Sequence, residues 1–293
     1  MIIVITGPTG VGKTKMSVEV AKKINGEIIN ADSTQIFKGL DIATAKVTKE
    51  EMDGIDHHLI DIKNIDEDYT VYNYQKDCRN TIDDIKKRGK IPIIVGGTGL
   101  YIKAALYDYQ FVGDSNEQYQ DKTNQELYDM LLKIDPGTNI HINNRKRMVR
   151  AINYFNDTNQ EYSKKEKTDK LIYDDVLFIG LTTDRQKLYS IINNRVDKML
   201  EEGLEKEAKK IYDTKIRTKA VMTPIGYKEL FEYFDGVKTK EEQIKLIKQR
   251  SRRYAKRQYT WFNNKMNIKW FDVDYDDFNN TINDVLNYIK EVR

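Results

Sequence analysis

Ile2-Ile3-Val4-Ile5-Thr6-Gly7-Pro8-Thr9-Gly10-Val11-Gly12-Lys13-Thr14 decides the architecture. Its first five residues are a short apolar run, the pattern of a strand buried on both faces of a parallel sheet. The next eight fit GxxxxGK(S/T), and a helical stretch through Met16, Val20 and Ile24 follows them. Strand, glycine-rich turn and helix are the context in which this pattern cradles a phosphate chain. Loop amides point inward, and the helix adds its positive N-terminal end. Gly7, Pro8, Thr9, Gly10, Val11, Gly12, Lys13 and Thr14 are therefore the candidate residues for binding a diphosphate or a triphosphate. Lys13 neutralises phosphate oxygens, and the Thr14 hydroxyl is the candidate ligand of a Mg²⁺ cofactor.

Outward from this loop, residues 27–30, 58–62 and Ile91–Val95 read as further short strands, and Val71–Lys87 as a helix. Alternating strands and helices predict an α/β fold, a P-loop NTPase-like parallel sheet with helices on both faces. Ligands on such sheets sit at the carboxyl ends of the strands, which directs attention to the residues after Ile5, Ile29 and Val95. Residues 112–169 are polar, with helical pieces at 126–134 and 145–155 and no strong strand. They read as a mostly helical insertion domain between core segments 1–111 and 170–293. Strand character returns at 176–181 and again at 268–271, with helical patterns over 188–262.

The 293 residues carry 49 basic and 46 acidic side chains, a net charge of +3. With 19 Tyr and 9 Phe the chain is not disordered as a whole. The single cysteine, Cys78, excludes a disulfide framework and Cys₂ or Cys₄ zinc sites. Cys78 lies on a helical pattern and reads as a small core residue. No run approaches the roughly 18–20 apolar residues of a membrane span, and no signal peptide is expected. The expectation is a soluble, cytoplasmic monomer. Adjacent His57 and His58 would point to different sides of a strand, so structural roles fit them better than a metal site.

Asn30-Ala31-Asp32-Ser33-Thr34-Gln35 follows the second strand. An aspartate at such a strand end holds Mg²⁺ through water in ordinary P-loop enzymes. Here a carboxylate, hydroxyls and a carboxamide gather beside the phosphate site. The carboxylate can take a proton from a nucleophile, and the Gln35 amide can pair with an adenine edge. Capping of a turn is the plain alternative for Asp32. Gly96-Gly97-Thr98-Gly99-Leu100-Tyr101 follows another strand, and Ile225-Gly226-Tyr227-Lys228-Glu229 and Tyr254-Ala255-Lys256-Arg257-Gln258-Tyr259-Thr260-Trp261-Phe262 lie further on.

Taken in order, these five blocks resemble the bacterial tRNA dimethylallyltransferase family over residues 1–270. The resemblance implies transfer of a dimethylallyl group from dimethylallyl diphosphate to N6 of the adenosine just 3′ of the anticodon. It implies catalytic roles for Asp32, Lys13, Thr14 and Arg195. Arg195 lies in Ile191-Ile192-Asn193-Asn194-Arg195-Val196-Asp197, a segment whose arginine grips the diphosphate; a plain surface arginine is the alternative. Asp32 would accept the proton of the attacking amine. Asp32, Ser33, Thr34, Gln35 and Thr98 would meet the tRNA, with Gln35 holding the base, which must swing out of the anticodon stem-loop.

Two basic segments suit tRNA phosphates. Residues 243–269 hold nine Lys or Arg and no acid. Ile244, Ile247, Tyr254 and Trp261 are the expected core stripe there. Lys245, Lys248, Arg252 and Lys256 share another face. The second segment contains Arg145, Lys146, Arg147 and Arg150, with Lys146 where the family element has glutamine. Ala43 also stands where the family has glycine, and the insertion looks short. Three other readings remain beside the tRNA enzyme: prenyl transfer to a free adenine nucleotide, a P-loop small-molecule kinase, and a non-catalytic RNA-binding P-loop protein.

Overall fold

The computed structural model describes residues 1–109, 119–164 and 170–292. The expected insertion start at Val112 and its end at residue 169 lie outside the described residues. The described residues divide into two compact units, Met1–Leu106 with Tyr173–Arg293, and Tyr107–Ile172.

The first unit opens with β1 (Ile2–Thr6), α1 (Lys13–Ile24), β2 (Gly26–Asn30), α2 (Lys49–Met52), β3 (His57–His58), α3 (Val71–Lys87), β4 (Ile91–Val95) and α4 (Gly99–Leu106). The second unit holds α5 (Asn124–Ile134) and α6 (Arg145–Thr158). The first unit resumes with β5 (Val176–Thr182), α7 (Arg185–Glu201), α8 (Leu204–Asp213), α9 (Lys219–Met222), α10 (Tyr227–Phe234), α11 (Lys240–Lys265), β6 (Lys269–Asp272) and α12 (Phe278–Val292).

The described strands form one sheet of order β3-β2-β4-β1-β5-β6, and every pairing is parallel. All five residues of β1 are buried, as the centre of such a sheet demands. Ile5 pairs with Val95, and Val95 pairs with Asn30. The three strands thus end flush, and the loops after β1, β2 and β4 emerge side by side at the carboxyl edge. The helices cover both faces, with α1 against α12 and α3 against α4.

The third strand is shorter than the sequence pattern predicts. Leu59 and Asp61 adopt left-handed φ values of 61° and 55°, a conformation no strand continues through, so β3 stops at His58. His58 Nε2 lies 2.7 Å from Glu27 Oε2, and Arg88 and Lys90 pair with the same buried carboxylate. These partners, Arg88 foremost and against the cost of burial, hold the Glu27 carboxyl well below the usual carboxylate range. His57 Nδ1 lies 2.8 Å from the Ile55 carbonyl.

Helix α12 follows the last expected strand, and its signal is plain in the sequence. Ile282, Val285, Leu286 and Ile289 recur at helical spacing and are buried. They join the core that underlies β1 and α1. The second unit has its own core, built on Leu127, Leu131, Met148, Val149 and Ile152. No helix among the described residues is long and apolar enough to cross a membrane.

Candidate active site

The phosphate loop bends through Gly7, Gly10 and Gly12, with φ values of 138°, 92° and 85°. Such values favour glycine, and close packing adds to the need at two of these positions. A Cβ on Gly7 would lie 2.4 Å from the Leu181 carbonyl oxygen, and one on Gly12 would lie 2.8 Å from the Phe278 ring. Strand β5 and helix α12 therefore wall the loop on two sides.

Lys13 Nζ donates to the carbonyls of Gly7 (3.0 Å) and Pro8 (2.8 Å), which draws the ammonium over the loop. Burial, and then the neighbouring Arg195, pull its pKa down from 10.5 to about 8, while Asp32 opposes the fall. Arg195 Nη1 donates to Thr9 Oγ1 at 2.8 Å, which brings α7 onto the loop. Burial lowers the Arg195 pKa, and Asp32 again opposes. Two cations and one carboxylate thus share a single electrostatic neighbourhood.

After β2 the chain turns on Asn30 and Asp32. Asn30 takes the Asp32 amide on Oδ1 at 2.9 Å and donates Nδ2 to the Asp32 and Leu59 carbonyls. Asp32 Oδ1 accepts from the Thr34 amide at 2.9 Å and the Thr34 hydroxyl at 2.6 Å. One carboxylate oxygen thus caps the turn, as the plain reading of Asp32 has it. The other has no hydrogen-bond donor among the described residues. Both readings of Asp32 are compatible in one side chain. Ser33 N donates to Thr98 Oγ1 at 3.1 Å, which joins the loops after β2 and β4.

Gln35 lies apart from this group. Its Nε2 donates to the carbonyls of Thr44 and Ala45, both at 3.2 Å, so the amide tethers the 41–46 loop. That loop is also fixed by Glu207, whose carboxylate accepts the amides of Asp41, Ile42 and Ala43 at 3.0, 2.8 and 3.1 Å. The Tyr227 hydroxyl donates to the same carboxylate at 2.7 Å. Lys46 Nζ completes the brace with the Phe37 carbonyl (2.8 Å), Asp41 (2.6 Å) and Asp61 (2.5 Å).

The glycines after β4 are required by contact. A Cβ on Gly96 would fall 2.3 Å from the Ala31 backbone, one on Gly97 2.0 Å from Gln258 Nε2, and one on Gly99 2.1 Å from the Trp261 ring. Gln258, in α11, bridges two loops: Oε1 accepts the Thr9 amide at 2.9 Å, and Nε2 donates to the Gly97 carbonyl at 3.1 Å. The sequence shows Gln258 within the 254–262 block but not its role, and it gives no sign of Glu207, because their partners lie 249 and about 165 residues away. The buried residues of α11 are Gln243, Ile247, Ala255, Gln258 and Phe262. The expected stripe is displaced: Ile244, Tyr254 and Trp261 are only half-buried. The reason is that Tyr254 lines the cavity and Trp261 covers Gly99.

These elements enclose a cavity of about 290 Å³. Thr9, Lys13, Asp32 and Arg195 face one another there, and Ile192, Val196, Met199, Pro224, Ile225 and Ile247 supply an apolar wall. Tyr254 is pushed upward in pKa by burial and then by the Asp32 charge, so its hydroxyl stays protonated. An acidic group, fixed cations and an apolar wall suit a substrate with a charged head and a hydrocarbon tail.

The model of the family described as IPP transferase matches residues 35–265, well over half of the chain. The tRNA dimethylallyltransferase of Anoxybacillus flavithermus is 49% identical over 99% of this chain and 96% of its own length. The chain belongs to the IPP transferase family. Among solved structures, the tRNA isopentenylpyrophosphate transferase of Bacillus halodurans is 44% identical with a TM-score of 0.76, covering 99% of this chain and 96% of that one. A eukaryotic dimethylallyltransferase acting on tRNA is 33% identical with a TM-score of 0.80, covering 92% of this chain and 73% of that one.

The relatives' names point to a diphosphate substrate, a group that binds divalent metals. The donor set tests this for the present chain. Among the described residues, no group of three or more His, Cys, Asp and Glu gathers as a metal cage. Magnesium needs no such cage, since it keeps several waters and takes one or two protein oxygens beside substrate phosphates. The Thr14 hydroxyl has no hydrogen-bond partner among the described residues, and it opens α1 directly after Lys13. The site therefore fits magnesium held chiefly by the substrate.

The basic residues occupy different settings. Lys248 Nζ pairs with Asp197 at 2.6 Å, and Arg252 Nη1 donates to Asn193 Oδ1 at 2.6 Å. Lys245 and Lys256 are exposed on the same helix. In the second unit Lys146 and Arg147 are exposed and Arg150 is half-buried. Arg145 instead braces its own unit, with Nη1 donating to the Lys122 carbonyl at 2.7 Å.

Proposed function

We propose that the chain transfers the dimethylallyl group of dimethylallyl diphosphate to N6 of the adenosine 3′-adjacent to the tRNA anticodon. The products are N6-isopentenyladenosine and pyrophosphate. The observation that carries this reading is a cavity in which Lys13, Arg195 and Thr9 face Asp32 beside an apolar wall.

Lys13, Arg195 and the loop amides hold the diphosphate, and the apolar wall receives the five-carbon tail. The C1–O bond of the substrate breaks as the N6–C1 bond forms. Negative charge grows on the departing pyrophosphate, where cations fixed in advance stabilise it without reorganisation. Magnesium, held by Thr14 and the phosphates, would add further neutralisation of that charge. The amine loses its proton to the unbonded oxygen of Asp32, whose other oxygen is locked by Thr34. The apolar wall excludes water, which would otherwise capture the allylic carbon.

Ser33 and Thr98 border the base, and Gln35 acts at one remove by holding the 41–46 loop. Lys146, Arg147 and Arg150 in the helical unit, and Lys256 on α11, are the proposed phosphate contacts. All groups invoked come from one chain, so a monomer suffices, and the cytoplasm supplies the tRNA. A kinase reading fits less well, because the apolar wall of Ile192, Val196, Met199, Pro224, Ile225 and Ile247 suits a hydrocarbon tail better than a nucleoside.

The test is incubation with labelled dimethylallyl diphosphate and either unmodified tRNA or adenosine monophosphate, without nucleoside triphosphate. Label is expected in tRNA. Label in the free nucleotide alone would favour the nucleotide prenyltransferase.

A further inference from the structure

Lys248, Arg252 and Lys256 share one side of a basic helix, a pattern that reads as a phosphate-binding face. In the folded chain that face is divided. Lys248 lies 2.7 Å from Asp197 Oδ2 and 2.6 Å from Oδ1. Arg252 donates to Asn193 Oδ1 at 2.6 Å, and its guanidinium sits 5.9 Å from the centre of the Tyr189 ring.

The spacing gives this a meaning. Tyr189, Asn193 and Asp197 are four residues apart in turn, so they form a row along one side of α7. Arg252 and Lys248 are likewise four apart on α11. The two rows meet in antiparallel order, as the rungs of a ladder. The adjoining side of α7 carries Ile192, Arg195, Val196 and Met199, which line the cavity. Arg195 reaches across from there to Thr9 Oγ1. Apolar packing tolerates small rotations and slides of a helix, whereas polar pairs with defined geometry select one register.

We infer that Lys248 and Arg252 are positioning residues for Arg195: they fix the rotation and height of α7 so that the guanidinium meets the diphosphate, and they are not tRNA contacts. This rests on the reading of the cavity as a diphosphate site. Each rung is partly exposed, and such pairs contribute little singly, about two- to fivefold in an equilibrium constant. Loss of both rungs should weaken diphosphate binding roughly tenfold.

The experiment measures inorganic pyrophosphate affinity, and tRNA affinity at several salt concentrations. The proteins are wild type, Lys248→Met with Arg252→Met, the same pair in an Arg195→Ala background, Lys248→Asp alone, and the reversed pair Lys248→Asp with Asp197→Lys. Pyrophosphate affinity should fall roughly tenfold in the double variant. The same two substitutions should cost nothing further once Arg195 is gone, because coupled residues are non-additive. A merely structural loss would persist in that background. Lys248→Asp alone should bind pyrophosphate about two- to fivefold more weakly than wild type, and the reversed pair, which rebuilds that rung beside an intact Arg252, should recover the loss, which keeps the test decisive if the double variant folds poorly. The tRNA salt slope should match wild type. A slope flattened by about 0.7 per lost cation, with pyrophosphate affinity unchanged, makes these residues phosphate contacts and overturns the inference. Wild-type protein that binds no pyrophosphate overturns the diphosphate reading itself, and this inference with it.

Discussion

Gln258→Met tests whether the phosphate loop is held from outside. Methionine matches glutamine in length and volume but can neither accept the Thr9 amide nor donate usefully to the Gly97 carbonyl. Gln258 is only 5% exposed, and Gly97 is buried, so the abandoned carbonyl has no access to bulk water. A buried group left without its partner costs about 1–3 kcal/mol. Thr9 is half-buried, so its amide recovers part of its loss through solvent. The sum is about 2–4 kcal/mol of stability. At roughly 2–4 °C per kcal/mol for a domain of this class, Tm should fall by about 4–16 °C. Thr9 also loses the anchor that presents its hydroxyl to Arg195, so pyrophosphate affinity should fall in step. Scanning calorimetry and pyrophosphate titration on the same preparation check both effects. A Tm within 1–2 °C of wild type, the equivalent of about 0.5 kcal/mol, with unchanged pyrophosphate affinity, would refute the strut.

Lys13 has a pKa lowered to about 8, so between pH 8 and 10.5 the unfolded chain binds the extra proton and this group makes stability rise with pH. Pyrophosphate favours the charged amine, so binding should weaken above pH 8 and take up a proton, as calorimetry in buffers of different ionisation heat would register. Asp32→Asn keeps shape and removes the proton acceptor. Turnover on tRNA should fall roughly 10²–10⁴-fold with tRNA affinity nearly intact, and an unchanged single-turnover rate would leave Asp32 as a turn cap only. Gly96→Ala forces a Cβ to within 2.3 Å of the Ala31 backbone, so denaturant unfolding should show a loss of about 1–3 kcal/mol.

What the sequence makes legible depends on how far apart the partners lie. The strand, phosphate loop and helix of residues 2–24 are contiguous, so their pattern contains their geometry. The blocks after β2 and β4 are recognisable singly. Their meeting is a consequence of strand order, in which β4 lies between β2 and β1. The glycines at 96, 97 and 99 are visible as letters, but the neighbours that require them, Ala31, Gln258 and Trp261, are set by tertiary packing. The basic face of α11 follows from helical spacing, whereas its partners on α7 do not. The pairing of an amide with adenine is legible from the Gln35 residue type alone, whereas the tether of its Nε2 to the 41–46 loop is set by tertiary packing. Helix α12 is a different case, since the spacing of Ile282, Val285, Leu286 and Ile289 is local and visible in the sequence itself.

The most direct measurement is the location of the transferred carbon. Wild-type protein would be given dimethylallyl diphosphate and an unmodified tRNA, with no nucleoside triphosphate. Nuclease fragments would then be mapped by mass spectrometry, and released pyrophosphate counted. The account predicts one five-carbon group on N6 of the adenosine 3′ of the anticodon, with one pyrophosphate released per group. Pyrophosphate released without modified tRNA, or modification at another position, would contradict it.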